Sequence, residues 1–147
     1  MRAKEAIQLL DRESTVKLFE SLYGCGQADE AKKRYAKVIE GYEKAFGDSD
    51  LKLFSSPGRT EISGNHTDHN HGRVLAGSIN LDCVGAAAKN ESDKVRIVSE
   101  TYNQDFTIDL NKLEVSSKAA GTIDLVKGML AAFKESGYAI GGFNAYI

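Results

Sequence analysis

Between residues 29 and 46 apolar side chains recur at three- and four-residue steps (Ala31, Tyr35, Val38, Ile39, Tyr42, Phe46), with Lys32, Lys33, Lys37, Glu40 and Lys44 between them. That spacing predicts an amphipathic helix with Tyr35 and Tyr42 in the core. Asp29 is placed as its N-cap, because a carboxylate accepts from free amides, and Gly47 as its stop, because glycine tolerates a left-handed end. A shorter helix is expected over 15–23, closed by Gly24 and Gly26, so the first fifty residues read as a helical lead-in.

The period then changes. Leu51 and Leu53 alternate with polar residues, as do Val95 with Ile97 and Phe106 with Ile108; the last two runs flank Tyr102-Asn103-Gln104-Asp105 and predict a hairpin. Residues 74–89 mix apolar and small side chains and are expected to hold one or two strands. Helical spacing returns at Ile123, Val126, Met129, Leu130 and Phe133, which predicts a helix over 119–136 ended by Gly137. Residues 142–147 read as a final strand. As the last element it is expected to leave an edge open to self-association.

Composition narrows the class of molecule. The 147 residues carry 19 Lys+Arg against 21 Asp+Glu, a net charge of −2. Without basic runs the chain offers no dedicated nucleic-acid or polybasic membrane surface. Nothing approaches the roughly 18 apolar residues of a membrane span, and the start, MRAKEAIQLLDRE, lacks the apolar core of a signal peptide. Cys25 and Cys83 stand far apart without CxxC spacing, which fits a reducing, cytoplasmic setting. Small molecules or proteins are the expected partners.

The chemistry concentrates in residues 56–77, expected to form a loop: SPGRTEISGNHTDHNHGRVLAG holds the lone proline and all three histidines. Gly58, Gly64 and Gly72 allow tight turns and close approach to a ligand. His66, Asp68, His69 and His71 are all competent metal ligands, yet in an extended segment 66 and 68 face one way while 69 and 71 face the other. A metal-dependent hydrolase is therefore the weaker reading, and no metal site is expected. Polyol recognition suits the donors and acceptors better: Asp68 accepts, Asn65 and His66 do both, and Arg59 donates with a fixed positive charge. Bonds involving charged groups contribute about 1.5 to 3 kcal/mol each, enough for several to hold a monosaccharide.

Pro57-Gly58-Arg59, then Gly64-Asn65-His66-Thr67-Asp68-His69-Asn70, then Gly72 and Val74-Leu75 resemble the galactokinase signature of the GHMP kinases, in outline PGR-x-N-x-x-G-E-H-T-D-Y-N-x-G-x-VLP. The resemblance is strong over residues 57–75 and weak elsewhere. It implies an α+β architecture, the N-terminal portion of a GHMP-kinase fold, with a helical lead-in (1–50) followed by a mixed β-sheet with packed helices (51–147). It also implies phosphorylation of the anomeric hydroxyl of galactose by ATP with Mg. Arg59 would be the catalytic residue beside the attacked hydroxyl, and Asn65, His66 and Asp68 would bind the sugar.

Departures bear on substrate and activity. Asn65 stands where the signature has glutamate, Glu61 where it has asparagine, His69 where it has tyrosine and His71 where glycine is common. Kinases for N-acetylgalactosamine, arabinose or galacturonate share the framework, and a non-catalytic galactose sensor is a further alternative. The family's phosphate loop, a Gly-Leu-Ser-Ser-Ser-Ala run, and its later catalytic aspartate are not in these residues. The chain is accordingly expected to be a truncated N-terminal domain, inactive alone, with no tightly held ATP or Mg.

Overall fold

A computed structural model describes residues 1–64, 71–114 and 121–147. Three helices come first: α1 (Ala3–Leu10), α2 (Glu13–Tyr23) and α3 (Ala28–Phe46). The strands β1 (Lys52–Ser63), β2 (Leu75–Lys89), β3 (Lys94–Ser99) and β4 (Gln104–Asp109) follow, then α4 (Thr122–Glu135) and β5 (Phe143–Tyr146). The expected α+β class is borne out.

The helical periodicity translates directly into burial. Tyr35, Ile39 and Tyr42 of α3 are buried, and Gly47 ends the helix with φ +78°. Asp29 is not the N-cap: the helix begins at Ala28 after Gln27, and Asp29 and Glu30 lie in its first turn, where their charge favours the helix dipole. α2 starts two residues before the predicted helix, and α1 is a separate element closed at Asp11.

The five strands form one mixed sheet in the order β1-β2-β5-β3-β4. β1 with β2, β2 with β5 and β3 with β4 are antiparallel, whereas β3 and β5 are parallel. On β2 the alternate residues Val84, Ala86 and Ala88 face the helical layer and join Tyr35, Ile39 and Tyr42 in the main core. Their small side chains let α3 lie close to the sheet. The second cluster, Val95, Ile108 and Leu110 with Val126 and Leu130, seats α4 against β3 and β4. Period two on the strands thus serves two cores with one sheet.

Of the one or two strands expected over 74–89 there is one, β2, whereas β1 continues through Pro57 to Ser63, so much of the expected loop is strand. Proline is tolerated there because β1 is an edge strand whose outer side needs no amide donor. The final strand has no open edge. β5 sits between β2 and β3 with partners on both sides, from Ala86↔Tyr146 to Lys89↔Phe143 and from Val95↔Phe143 to Val98↔Tyr146. Self-association through that strand is therefore corrected: its ladder groups are already engaged within the chain.

Candidate functional site

β1 and β2 extend beyond the body of the sheet as a two-stranded arm. Over 59–63 and 75–81 every residue is exposed or half-buried, unlike the buried run from Val84 to Ala86 at its base. Pairing is regular from Lys52↔Ala87 to Pro57↔Asp82 and then shifts, resuming at Arg59↔Ser78. Gly58 occupies the shift, where a β-carbon would come 3.1 Å from the Leu81 carbonyl oxygen. Such an irregularity re-aims the strand beyond it. Arg59 is the first paired residue past the bend, and it is exposed.

At the arm's far end the chain closes into a neck. Gly64 has φ +90°, and a β-carbon there would collide with the Arg73 carbonyl oxygen, so the backbone of 64 and that of 73 lie in direct contact. His71 adopts φ +59°, in the left-handed region that non-glycine residues seldom occupy, histidine being among those that enter it more readily. Residues 65–70, which include Asn65, His66 and Asp68 as well as His69, lie outside the described residues. Of the four predicted site residues, the structure therefore places Arg59 alone, on the arm that leads to the other three.

At the arm's root lies a cluster that the sequence reading missed. The Asp82 side chain is only 2% exposed. Its Oδ2 accepts from the Tyr23 hydroxyl at 2.6 Å and from Ser55 Oγ at 2.6 Å, while Oδ1 accepts from Arg34 Nη2 at 2.6 Å. Tyr35 and Tyr23 share a hydroxyl contact of 3.0 Å, and the Arg34 guanidinium lies 5.6 Å from the centre of the Tyr23 ring. Burial pushes the Asp82 carboxyl upward, but the bonds from Ser55, Tyr23 and Arg34 outweigh it and hold the group below its ordinary value. Burial and the bond to Asp82 push the Tyr23 phenol well up. The available signal was a single carboxylate within the apolar run LDCVGAAA, which needs partners wherever that strand is covered.

Two sizeable cavities open on the described residues, the second lined in part by Arg34 and Asp82 of this cluster. One of about 680 Å³ opens on the sheet face at Phe54, Ala87 and Phe143, and one of about 380 Å³ lies between α3 and the β3–β4 turn. Neither is lined by Arg59. Among the described residues no group of three or more acidic, histidine or cysteine side chains could hold a metal ion, and no helix is long and apolar enough to cross a membrane.

Known proteins supply the context for the arm. The galactokinase galactose-binding signature matches residues 40–89, from the last turns of α3 through β1, the neck and β2. A galactokinase of Lactococcus lactis subsp. lactis (strain IL1403) is 36% identical over 113 residues, 75% of this chain and 28% of that relative. One from Pyrococcus furiosus is 39% identical over 92 residues, 63% of this chain and 25% of the relative. The solved structure of Lactococcus lactis galactokinase complexed with galactose superposes with a TM-score of 0.64 at 34% identity, covering 73% of this chain and 28% of that one.

The helical layer, the mixed sheet and the projecting arm thus define part of a GHMP-kinase fold. Within that class the resemblance to galactokinase, first drawn from residues 57–75, is borne out. The chain spans about 28% of the length of the Lactococcus relative.

Proposed function

We propose that this chain is the sugar-binding part of a longer, cytoplasmic, ATP-dependent galactokinase that converts galactose to galactose 1-phosphate. The observation that carries the reading is the signature match over residues 40–89, which spans the arm from root to tip. Arg59 is its candidate catalytic residue: a fixed guanidinium on the arm can steady charge on the attacked hydroxyl and the transferring group. Asn65, His66 and Asp68 are its candidate sugar ligands, their amide, imidazole and carboxylate suited to paired hydroxyls.

No helix N-terminus among the described residues suits the phosphates of MgATP. Anion sites form where a helix presents free amides, but the first turns of α1, α2, α3 and α4 carry Glu5, Glu13, Asp29 with Glu30, and Asp124. Each carboxylate opposes a phosphate there. The phosphate-binding half of the proposed enzyme is assigned to sequence outside these 147 residues.

Asn65 in place of glutamate favours one competing reading, a kinase for a related sugar, because a neutral amide can donate as well as accept. Titrating the chain calorimetrically with galactose, N-acetylgalactosamine, arabinose and galacturonate separates the two. Galactose is expected to bind most tightly, in roughly the millimolar range. Tighter binding of another sugar overturns the assignment to galactose, and no binding of any overturns the sugar-site reading.

A further inference from the structure

The buried Asp82 cluster is not part of the galactose-binding apparatus proposed above, yet it lies where that apparatus joins the protein body. Pro57↔Asp82 is the last regular pair before the register shift, and Arg59 is the next paired residue of β1. A two-stranded ribbon holds no fixed direction in water unless something else packs against it. No residue over 59–63 or 75–81 is buried. The direction of the arm must therefore be set at its root.

Three donors from three elements converge there on one carboxylate. Tyr23 comes from the C-terminal end of α2, Arg34 from α3 and Ser55 from β1, and Asp82 itself belongs to β2. Arg34 Nη2 also reaches the Asp82 carbonyl oxygen at 3.2 Å, so the backbone of β2 is held along with the side chain. Tyr23 is fixed in turn by Tyr35. Bonds to a carboxylate shielded from water are stiff, and losing the acceptor would leave several donors unanswered at once.

We infer that Asp82 is a positioning residue: it locks the β1–β2 arm to the helical layer and so fixes the direction in which Arg59 and the segment beyond Gly64 are presented. Its consequence for sugar binding rests on the galactose reading; its mechanical part does not. The carboxylate touches no ligand in this scheme. It acts through the arm.

The test uses the 147-residue chain and two readouts. Amide hydrogen exchange without sugar reads the arm alone, at Arg59, Thr60, Ser78 and Gly77, against amides of β3 and β4 as an internal reference. Calorimetric titration with galactose reads the effect on the proposed site. Asp82→Asn keeps the shape and removes the charge; it is expected to speed exchange in the arm about tenfold, with β3 and β4 little changed, and to weaken galactose binding about five- to tenfold. Ser55→Ala, which removes one of the bonds, is expected to give about a two- to threefold change in the same direction and serves should Asp82→Asn fail to fold. Val95→Ala, placed in the second core, lowers overall stability without touching the root, and is expected to leave galactose affinity unchanged. Unaltered arm exchange in Asp82→Asn, or in Ser55→Ala where that variant stands in, overturns the inference. Equal loss of affinity in Val95→Ala overturns it too, because general destabilisation would then explain the effect. If arm exchange responds while no form of the chain binds galactose, the positioning role stands and the galactose reading falls.

Discussion

Gly41 of α3 and Tyr146 of β5 share one volume: a β-carbon on Gly41 would overlap the Tyr146 ring. Glycine inside a helix costs about 0.5–1 kcal/mol relative to alanine, so its presence here is explained by packing. The absent side chain is what lets the helix settle onto the middle of the sheet. Gly41→Ala gains helix propensity and loses more to overpacking, with an expected net destabilisation of about 1–3 kcal/mol. Urea denaturation monitored by circular dichroism checks it, and an unchanged or raised midpoint would contradict the packing argument.

Gly64→Ala addresses the neck of the arm. The position combines φ +90° with a collision against the Arg73 carbonyl oxygen, and a backbone so constrained costs on the order of 1–3 kcal/mol when a side chain is forced upon it. The expected result is a neck that opens and galactose affinity that falls about tenfold or more. Calorimetry on the variant decides it; wild-type affinity would show that the neck plays no part in the proposed sugar binding.

His71→Gly is expected to act in the opposite sense on stability. A non-glycine residue at φ +59° pays roughly 1–2 kcal/mol in the left-handed region, while glycine returns about 0.5–1 kcal/mol of that through added freedom in the unfolded chain. The net expectation is stabilisation of about 0.5–1 kcal/mol, read as a higher denaturation midpoint. Destabilisation would mean that the imidazole makes contacts worth more than the strain.

Asp82 also predicts a response to acid. Its folded-state carboxyl is held below the ordinary 3.8: burial raises it, and the Ser55, Tyr23 and Arg34 bonds outweigh that and lower it. A depressed carboxylate contributes stability that is fully present above the unfolded value and lost as pH falls through the folded one. The stability difference between wild type and Asp82→Asn is therefore expected to be large at pH 6 and to shrink below pH 3.8. Denaturation curves at several pH values measure it; a constant gap down to the acid limit would refute the linkage.

The proposed division of labour carries its own assay. If the phosphate half lies outside these residues, the 147-residue chain incubated with MgATP and galactose is expected to form no galactose 1-phosphate. Product detected above background by a coupled assay, and abolished by Arg59→Ala, would place the whole site within the chain.

Much of this architecture was legible because burial follows period. Tyr35, Ile39 and Tyr42 announced the face of α3, and Val95, Ile97, Phe106 and Ile108 announced the β3–β4 hairpin, since each pattern has one interpretation once water is excluded from one side. Pro57 and its glycine neighbour misled: they mark turns in most contexts, but an edge strand with a register shift accommodates both. The central place of β5 was illegible because strand order depends on contacts between residues far apart in sequence. Asp82 escaped for a related reason, as its meaning lies in Tyr23 and Arg34, which stand 59 and 48 residues away. The chemistry of residues 57–75 was readable as a motif, and of it the structure supplies the placement of Arg59 and the neck.

The position of β5 also dictates an order of assembly. The β1–β2 and β3–β4 hairpins are each local, but nothing in the sheet joins them except Phe143–Tyr146, which pairs with Ala86–Lys89 on one side and Val95–Val98 on the other. While the chain emerges from the ribosome, the two hairpins exist as separate pieces until Phe143–Tyr146 becomes available. Closure then requires contacts across 48 to 60 positions of chain, the kind of long-range pairing that slows folding. A chain stopped before Phe143 would keep both hairpins and have no continuous sheet on which α3 could rest.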